Sequence, residues 1–114
     1  MNSEDEIVAG HLQELRRGSV VLACLSVLRE PQYGYSLLTT LDRAGIRVDA
    51  NTLYPLLRRL EKQGLLTSDW NTEDARPRKF YSVSAAGHRV LERLTTEWMR
   101  LDADLARLLG GKDS

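Results

Sequence analysis

The sequence predicts a mainly α fold that carries one small β-hairpin. Three observations carry this expectation. Leucines recur at helical spacing through most of the chain, four of them on one side of the segment 51–63. Two short runs rich in aromatic and β-branched residues, 65–70 and 79–83, flank a polar loop. After Ser84 a leucine-bearing segment then runs unbroken to Gly110-Gly111.

Residues 6–17 read as a weak helix, because Val8, Leu12 and Leu15 give it one narrow apolar stripe. Gly18-Ser19 interrupts it, and Ser19 is placed to cap the next element. Residues 20–28 are apolar nearly all round, as in a central helix covered on most sides, and Pro31 ends them. Tyr33-Gly34-Tyr35 opens a further helix with Leu38 and Leu41 on its apolar face and Leu37 beside them. Ala44-Gly45 stops it, since glycine takes the left-handed cap conformation without penalty.

A short link, 46–49, leads to a helix that runs to Gln63, with Gly64 as its stop. Asp49 and Asn51 are both suitable N-caps, and the residues do not choose between them. Pro55 falls early in this helix, where its missing N–H costs least. Residues 65–70 and 79–83 read as strands joined by the polar loop 71–77. Ser84 caps a long helix that runs to about residue 109. Behind the N-terminal helix, this order of three helices, a hairpin and a long helix is that of a winged helix-turn-helix domain with a C-terminal extension.

A chain of 114 residues suits one domain. Hydrophobic residues make up 42% and charged residues 28%, which is globular rather than disordered composition. Sixteen basic side chains balance sixteen acidic ones, so net charge does not advertise a polyanionic partner. The charges are segregated, however: net −3 over residues 1–42, +3 over 43–80 and 0 over 81–114. Cys24 is the only cysteine, which excludes an intrachain disulfide, and its apolar neighbours predict a buried small residue. The acidic N-terminus is the wrong chemistry for a secretory leader. No apolar stretch approaches the ~20 residues of a membrane span. The expectation is a soluble cytoplasmic protein.

Projected at 100° per residue, the helix after the link gathers Leu53, Leu56, Leu57 and Leu60 on a core side. Asn51, Pro55, Arg58 and Lys62 point the opposite way, Thr52 and Arg59 lie on one flank, Tyr54 on the other, and Glu61 near the edge. That chemistry suits a duplex groove. Asparagine pairs with adenine, arginine forks onto guanine, and threonine or tyrosine reaches bases or phosphates. Asn51, Thr52, Tyr54, Pro55 and Arg58, in the first turns, are the candidates for reading sequence. Arg59 and Lys62 are the candidates for phosphates. The bland alternative is a solvated helix face.

The hairpin adds Arg76, Arg78 and Lys79, with Pro77 stiffening the approach. Cations on a protruding hairpin can sit over the backbone or minor groove. Their alternative role is a charged edge that blocks strand aggregation, and Asp69, Glu73 and Asp74 dilute the local field.

These residues resemble a known pattern. Leu15-Arg16-Arg17-Gly18-Ser19, Tyr33-Gly34-Tyr35, Asn51-Thr52-Leu53-Tyr54-Pro55-Leu56-Leu57-Arg58-Arg59-Leu60-Glu61, Gly64-Leu65, Arg76-Pro77-Arg78-Lys79-Phe80-Tyr81, and Ser84 with Gly87 are similar to the PadR-like transcriptional regulators, in order and across roughly residues 15 to 90. Two departures are mild: members often carry glycine where Asn51 stands and threonine where Ser84 stands. The resemblance implies that the third helix enters the major groove and the hairpin flanks it. It carries those roles to Asn51, Thr52, Tyr54, Pro55, Arg58, Arg76, Arg78 and Lys79. It also makes Tyr35 a phosphate contact, against the alternative that Tyr35 packs on the third helix. Short members have one C-terminal helix, which makes the dimer.

That last role has independent support. Leu91, Leu94, Trp98, Leu101, Leu105 and Leu108 alternate spacings of three and four, an a/d seam about two and a half heptads long. A partner chain is the economical cover for it, with Val8, Leu12 and Leu15 bracing the same interface. The expected organisation is a single domain over 1–114: N-terminal helix 1–17, winged helix-turn-helix 18–83, dimerisation helix 84–109 and tail 110–114. A two-fold dimer would bind a pseudo-palindromic site with half-sites about 10 bp, or a multiple of that, apart. Some relatives place a last-helix tryptophan at the dimer centre, where it stacks on flat ligands. Gly87-His88 followed by Glu97-Trp98 is similar, so the resemblance offers Trp98 as a residue for a small aromatic effector. The alternative is an interface core residue.

Catalytic constellations are missing from the sequence. His11 and His88 are isolated, no Gly-x-Ser-x-Gly nucleophile turn occurs, and there is no phosphate-cradling glycine loop. The expectation is a non-enzyme with no cofactor or metal. It would bind double-stranded DNA as a homodimer, and as a repressor, because a compact dimer without an activation domain most simply blocks polymerase. The neutral net charge keeps open a second class, a winged-helix protein-interaction module with no DNA affinity.

Overall fold

The computed structural model describes residues 3–73 and 75–110, so the expected tail beyond Gly110 lies outside the described residues. Helix α1 spans Ser3–Arg17 and α2 Ser19–Val27. Strand β1 is the pair Gln32–Tyr33. Helices α3 and α4 follow at Gly34–Arg43 and Ala50–Lys62, then β2 at Leu66–Asn71, β3 at Arg78–Val83 and α5 at Ala85–Leu108. The mainly helical class with a small sheet is the one expected.

The sheet holds one strand more than a hairpin. Its order is β1-β3-β2, antiparallel throughout. The hairpin runs in register from Leu66↔Val83 to Asn71↔Arg78. On the other side of β3, Gln32 faces Tyr81 and Tyr33 faces Phe80. The Val83 amide also donates to the Leu28 carbonyl at 2.9 Å. The base of the hairpin is thus tied on both sides, and an otherwise bare strand edge is covered.

The core forms around α2, whose Cys24 and Leu25 are fully buried, with Leu28 just beyond its end. Leu37 and Leu41 of α3 join them, with Leu53, Leu57 and Leu60 of α4 and Leu66 and Tyr81 of the sheet. Each buried leucine contributes about 1.5–3 kcal/mol relative to exposure. Leu91 of α5 belongs to this core at 9% exposed. It is therefore spent inside the chain, which corrects its place in the free seam. The heptad stripe of α5 and its docking face on the core overlap at that residue.

Two junctions aim the functional elements. At the end of α4, Gly64 adopts φ 79°. The Gly64 amide donates to the Glu61 carbonyl and the Leu65 amide to the Leu60 carbonyl, both at 3.0 Å. This left-handed glycine cap turns the chain directly into β2. At the start of α5, the Ser84 hydroxyl accepts from the Gly87 amide at 3.0 Å and donates to the Gly64 carbonyl at 2.6 Å. The Ser84 amide donates to the Leu65 carbonyl at 3.0 Å. A Cβ on Gly87 would lie 2.1 Å from that same Leu65 oxygen, so close approach demands glycine here.

Three local expectations change. The Ser19 hydroxyl does not cap α2; it donates to the Arg16 carbonyl at 2.7 Å. Gly18 keeps helical angles, φ −67° and ψ −28°, so α1 runs into α2 with little break. Asp49 is the N-cap of α4, its carboxylate accepting from the Thr52 amide at 2.9 Å, while Asn51 lies inside the helix. Pro55 sits within α4 past its first turn. A residue with an N–H there would have bonded the Asn51 carbonyl, so the proline removes an interior helix bond rather than a spare donor.

Candidate nucleic-acid interface

Helix α4 divides by periodicity into two sides. Leu53, Leu56, Leu57 and Leu60 are buried, while Asn51, Thr52, Pro55, Arg58, Arg59 and Lys62 are exposed. Among the described residues, the side chains of Asn51, Arg58, Arg59 and Lys62 have no hydrogen-bond or ion-pair partner. Arg58 and Lys62 stand four residues apart and Arg59 and Lys62 three apart. Like charges at those spacings repel, and an external anion relieves the repulsion. The acid of this helix start, Asp49, is occupied as the cap.

Glu61 braces α4 against the hairpin. Its carboxylate accepts from Ser68 Oγ at 2.5 Å and meets Lys79 Nζ at 3.4 Å. The Ser68 hydroxyl, helped by the Lys79 ammonium, holds this carboxyl below the usual glutamate range, against the opposing effect of burial. Lys79 also lies over the Tyr81 ring at 5.3 Å. Lys79 is thus engaged as a brace, a correction to its expected place as a free hairpin cation. An open cleft of about 570 Å³ runs beside it, lined by Pro55, Arg58, Arg59, Glu61, Lys62 and Lys79.

A second cluster fixes the other side of the hairpin. The Tyr33 and Tyr35 rings stack at 5.7 Å, and Phe80 meets Tyr33 edge-on at 6.0 Å. Arg78 Nη1 donates to Tyr35 Oη at 2.8 Å, and its guanidinium lies 5.8 and 5.6 Å from the two ring centres. Asn71 Nδ2 donates to Tyr33 Oη at 2.6 Å. Tyr35 is therefore exposed and joined to the hairpin, not packed on α4. Tyr54 is the tyrosine that packs. It is half-buried, and a Cβ on Gly34 would come within 2.7 Å of its ring. Tyr54 thus leaves the exposed reading set, because the glycine of Tyr33-Gly34-Tyr35 opens a seat for it. Arg76 is exposed in the hairpin loop.

Residues 21–93 match the transcriptional regulator PadR-like family, a span from α2 into α5 that includes the whole reading surface. The chain belongs to the PadR-like family of transcriptional regulators. The transcriptional regulator Rv3488 of Mycobacterium tuberculosis is 39% identical over 103 residues, covering 89% of this chain and 92% of that protein. A PadR family transcriptional regulator from Eggerthella lenta has 46% identity and a TM-score of 0.92, covering 96% and 98% of the two chains. A PadR-like regulator from Bacillus cereus has 27% identity and a TM-score of 0.77, covering 87% and 99%. These relatives are transcriptional regulators rather than enzymes, and DNA-binding regulation is the family-level role of this PadR-like protein. Among the described residues no helix is long and apolar enough to cross a membrane.

The expected seam of α5 is exposed apart from Leu91. Leu94, Trp98, Leu101, Leu105 and Leu108 lie open, Trp98 at 49% and Leu108 at 81%. Ile7, Val8, Leu12 and Leu15 of α1 are exposed as well. Sequence reasoning missed the Glu61 brace, although Glu61, Ser68 and Lys79 all stood in the right elements. It also read Trp70 only as a strand former, whereas Trp70 is exposed.

Proposed function

We propose that this PadR-like regulator binds a pseudo-palindromic operator as a homodimer and represses transcription. One observation carries the reading: the outer face of α4 presents an amide, a hydroxyl and three cations, with nothing among the described residues to neutralise them. In this reading Asn51, Thr52, Pro55 and Arg58 meet base edges in the major groove. Arg59, Lys62, Arg76, Arg78 and Tyr35 meet phosphates. Tyr54 and Lys79 hold the surface in shape from beneath.

The exposed leucines of α5, with those of α1, are the surface that a second copy would cover, and a two-fold dimer of this kind would read half-sites about 10 bp or a multiple apart. Trp98 lies within that stripe, where it and its mate would stack on a flat aromatic effector that releases the operator. Selection of bound fragments from random duplexes by purified protein tests the reading, with and without aromatic compounds. A two-fold symmetric motif is expected. Arg58→Ala should lower affinity for the selected site about fivefold or more, about 1–3 kcal/mol, and relax preference at one base pair. Equal loss on selected and random DNA would move Arg58 to the backbone. Deleting the gene should raise a reporter driven by the site, and a fall would contradict repression.

A further inference from the structure

Neither the fold nor the reading above uses Trp70. It is 61% exposed, one position from the end of β2. Its cross-strand partner is Lys79, and Ser68, two residues earlier, pairs with Tyr81. Directly paired residues in antiparallel strands share a face, as do residues two apart along a strand. Ser68 and Lys79 both reach Glu61, so this is the face turned toward α4. The opposite face carries Asn71 and Phe80, which meet Tyr33. The indole therefore stands on the α4 side, directly across from Lys79, which with Arg58 and Lys62 lines the open cleft. Among the described residues it has no hydrogen bond or ring contact.

We propose that Trp70 is a minor-groove contact of the wing that biases the operator's flanks toward A·T pairs. The inference rests on duplex binding by α4. With that helix in the major groove, a residue toward the hairpin tip on the same side reaches the adjacent minor groove. The floor of that groove shows acceptors alone at A·T pairs, whereas G·C adds an amine donor that occupies the floor. The indole N–H is a donor with no acceptor capacity, so it matches A·T and conflicts with G·C. The apolar body of the ring suits the sugar walls and base steps where apolar wedges insert.

Site selection with the wild type, W70F and W70A tests this. The wild type should enrich A·T pairs beside each half-site. W70F keeps an apolar ring and loses the donor; it should hold affinity within about threefold and lose the flank preference. W70A should lose both the preference and about tenfold in affinity, roughly 1.4 kcal/mol. Tryptophan emission should change on adding duplex to the wild type, and that change should vanish in W70F. If all three proteins bind and select the same flanks with equal affinity, this inference alone falls. If the wild type binds no duplex, the α4 reading falls and takes this one with it.

Discussion

Alanine at position 87 would place a Cβ 2.1 Å from the Leu65 carbonyl oxygen and 2.7 Å from Val83 Cγ1. Real Cβ atoms essentially never approach within 3.0 Å, so at least roughly 1 Å of movement is required. The Leu65 carbonyl cannot readily supply it, because it accepts from the Ser84 amide and its own residue is held by the Leu60 carbonyl. Helix α5 must tilt instead. Gly87 lies about 4.5 Å along the helix from Ser84, so a shift of about 1 Å there is a rotation of about 13°. Over a helix about 36 Å long, that carries the far end some 8 Å, roughly. The alternative is to break the Ser84 cap, which costs about 1 kcal/mol, on top of an overpacking cost of about 1–3 kcal/mol. A total near 3 kcal/mol should lower Tm by about 12 °C in a chain of this size. Thermal unfolding followed by circular dichroism measures the loss. Binding to duplexes of varied half-site spacing measures the tilt, and folded G87A should no longer prefer the wild-type spacing. A Tm within about 2 °C of wild type, with spacing preference unchanged, would refute the claim that this glycine sets the α5 exit.

Two further outcomes follow from the titrating groups. Burial pushes the Cys24 thiol up to about 12, so it should resist thiol reagents at pH 8 in the native protein and react once urea unfolds the chain. Because its folded value lies above its unfolded one, Cys24 contributes stability that is whole below the unfolded thiol's range and declines as pH rises toward 12. Native-state labelling at the rate of the unfolded chain would contradict its burial. Glu61 behaves in the opposite sense: its folded value is lowered, so its contribution is present above the ordinary glutamate range and is lost as pH falls through the folded value. Urea unfolding of E61Q should show a deficit under about 1 kcal/mol at pH 7 that disappears in acid. A deficit that persists unchanged at low pH would mean that the brace does not depend on charge.

The α4 leucines were readable because one periodic stripe meets one core, and Ser84 was readable because a capping serine needs only local spacing. What escaped the sequence depended on partners far along the chain. Strand β1 has two residues, too few to show any alternation, and exists because Tyr33 and Gln32 meet β3. Tyr54 falls on a flank of the α4 projection, and its burial is decided by the absence of a side chain at Gly34, twenty positions upstream. Lys79 looked like a free cation until β3 brought it beside Glu61. Leu91 fits the heptad and the core equally, and the docking of α5 on α2 decided between them. The choice between Asp49 and Asn51 as cap turned on which backbone was extended, and Asp49 has φ −86° and ψ 163°.

Duplex binding through the exposed cations of α4 shows directly in the salt dependence of affinity. Affinity for the selected duplex should fall linearly on a log–log plot against salt concentration. The double variant Arg59→Ala, Lys62→Ala should bind more weakly with a slope shallower by about 2, one unit for each phosphate contact removed. An identical slope in both proteins, or no duplex binding by the wild type even at low salt, would contradict it.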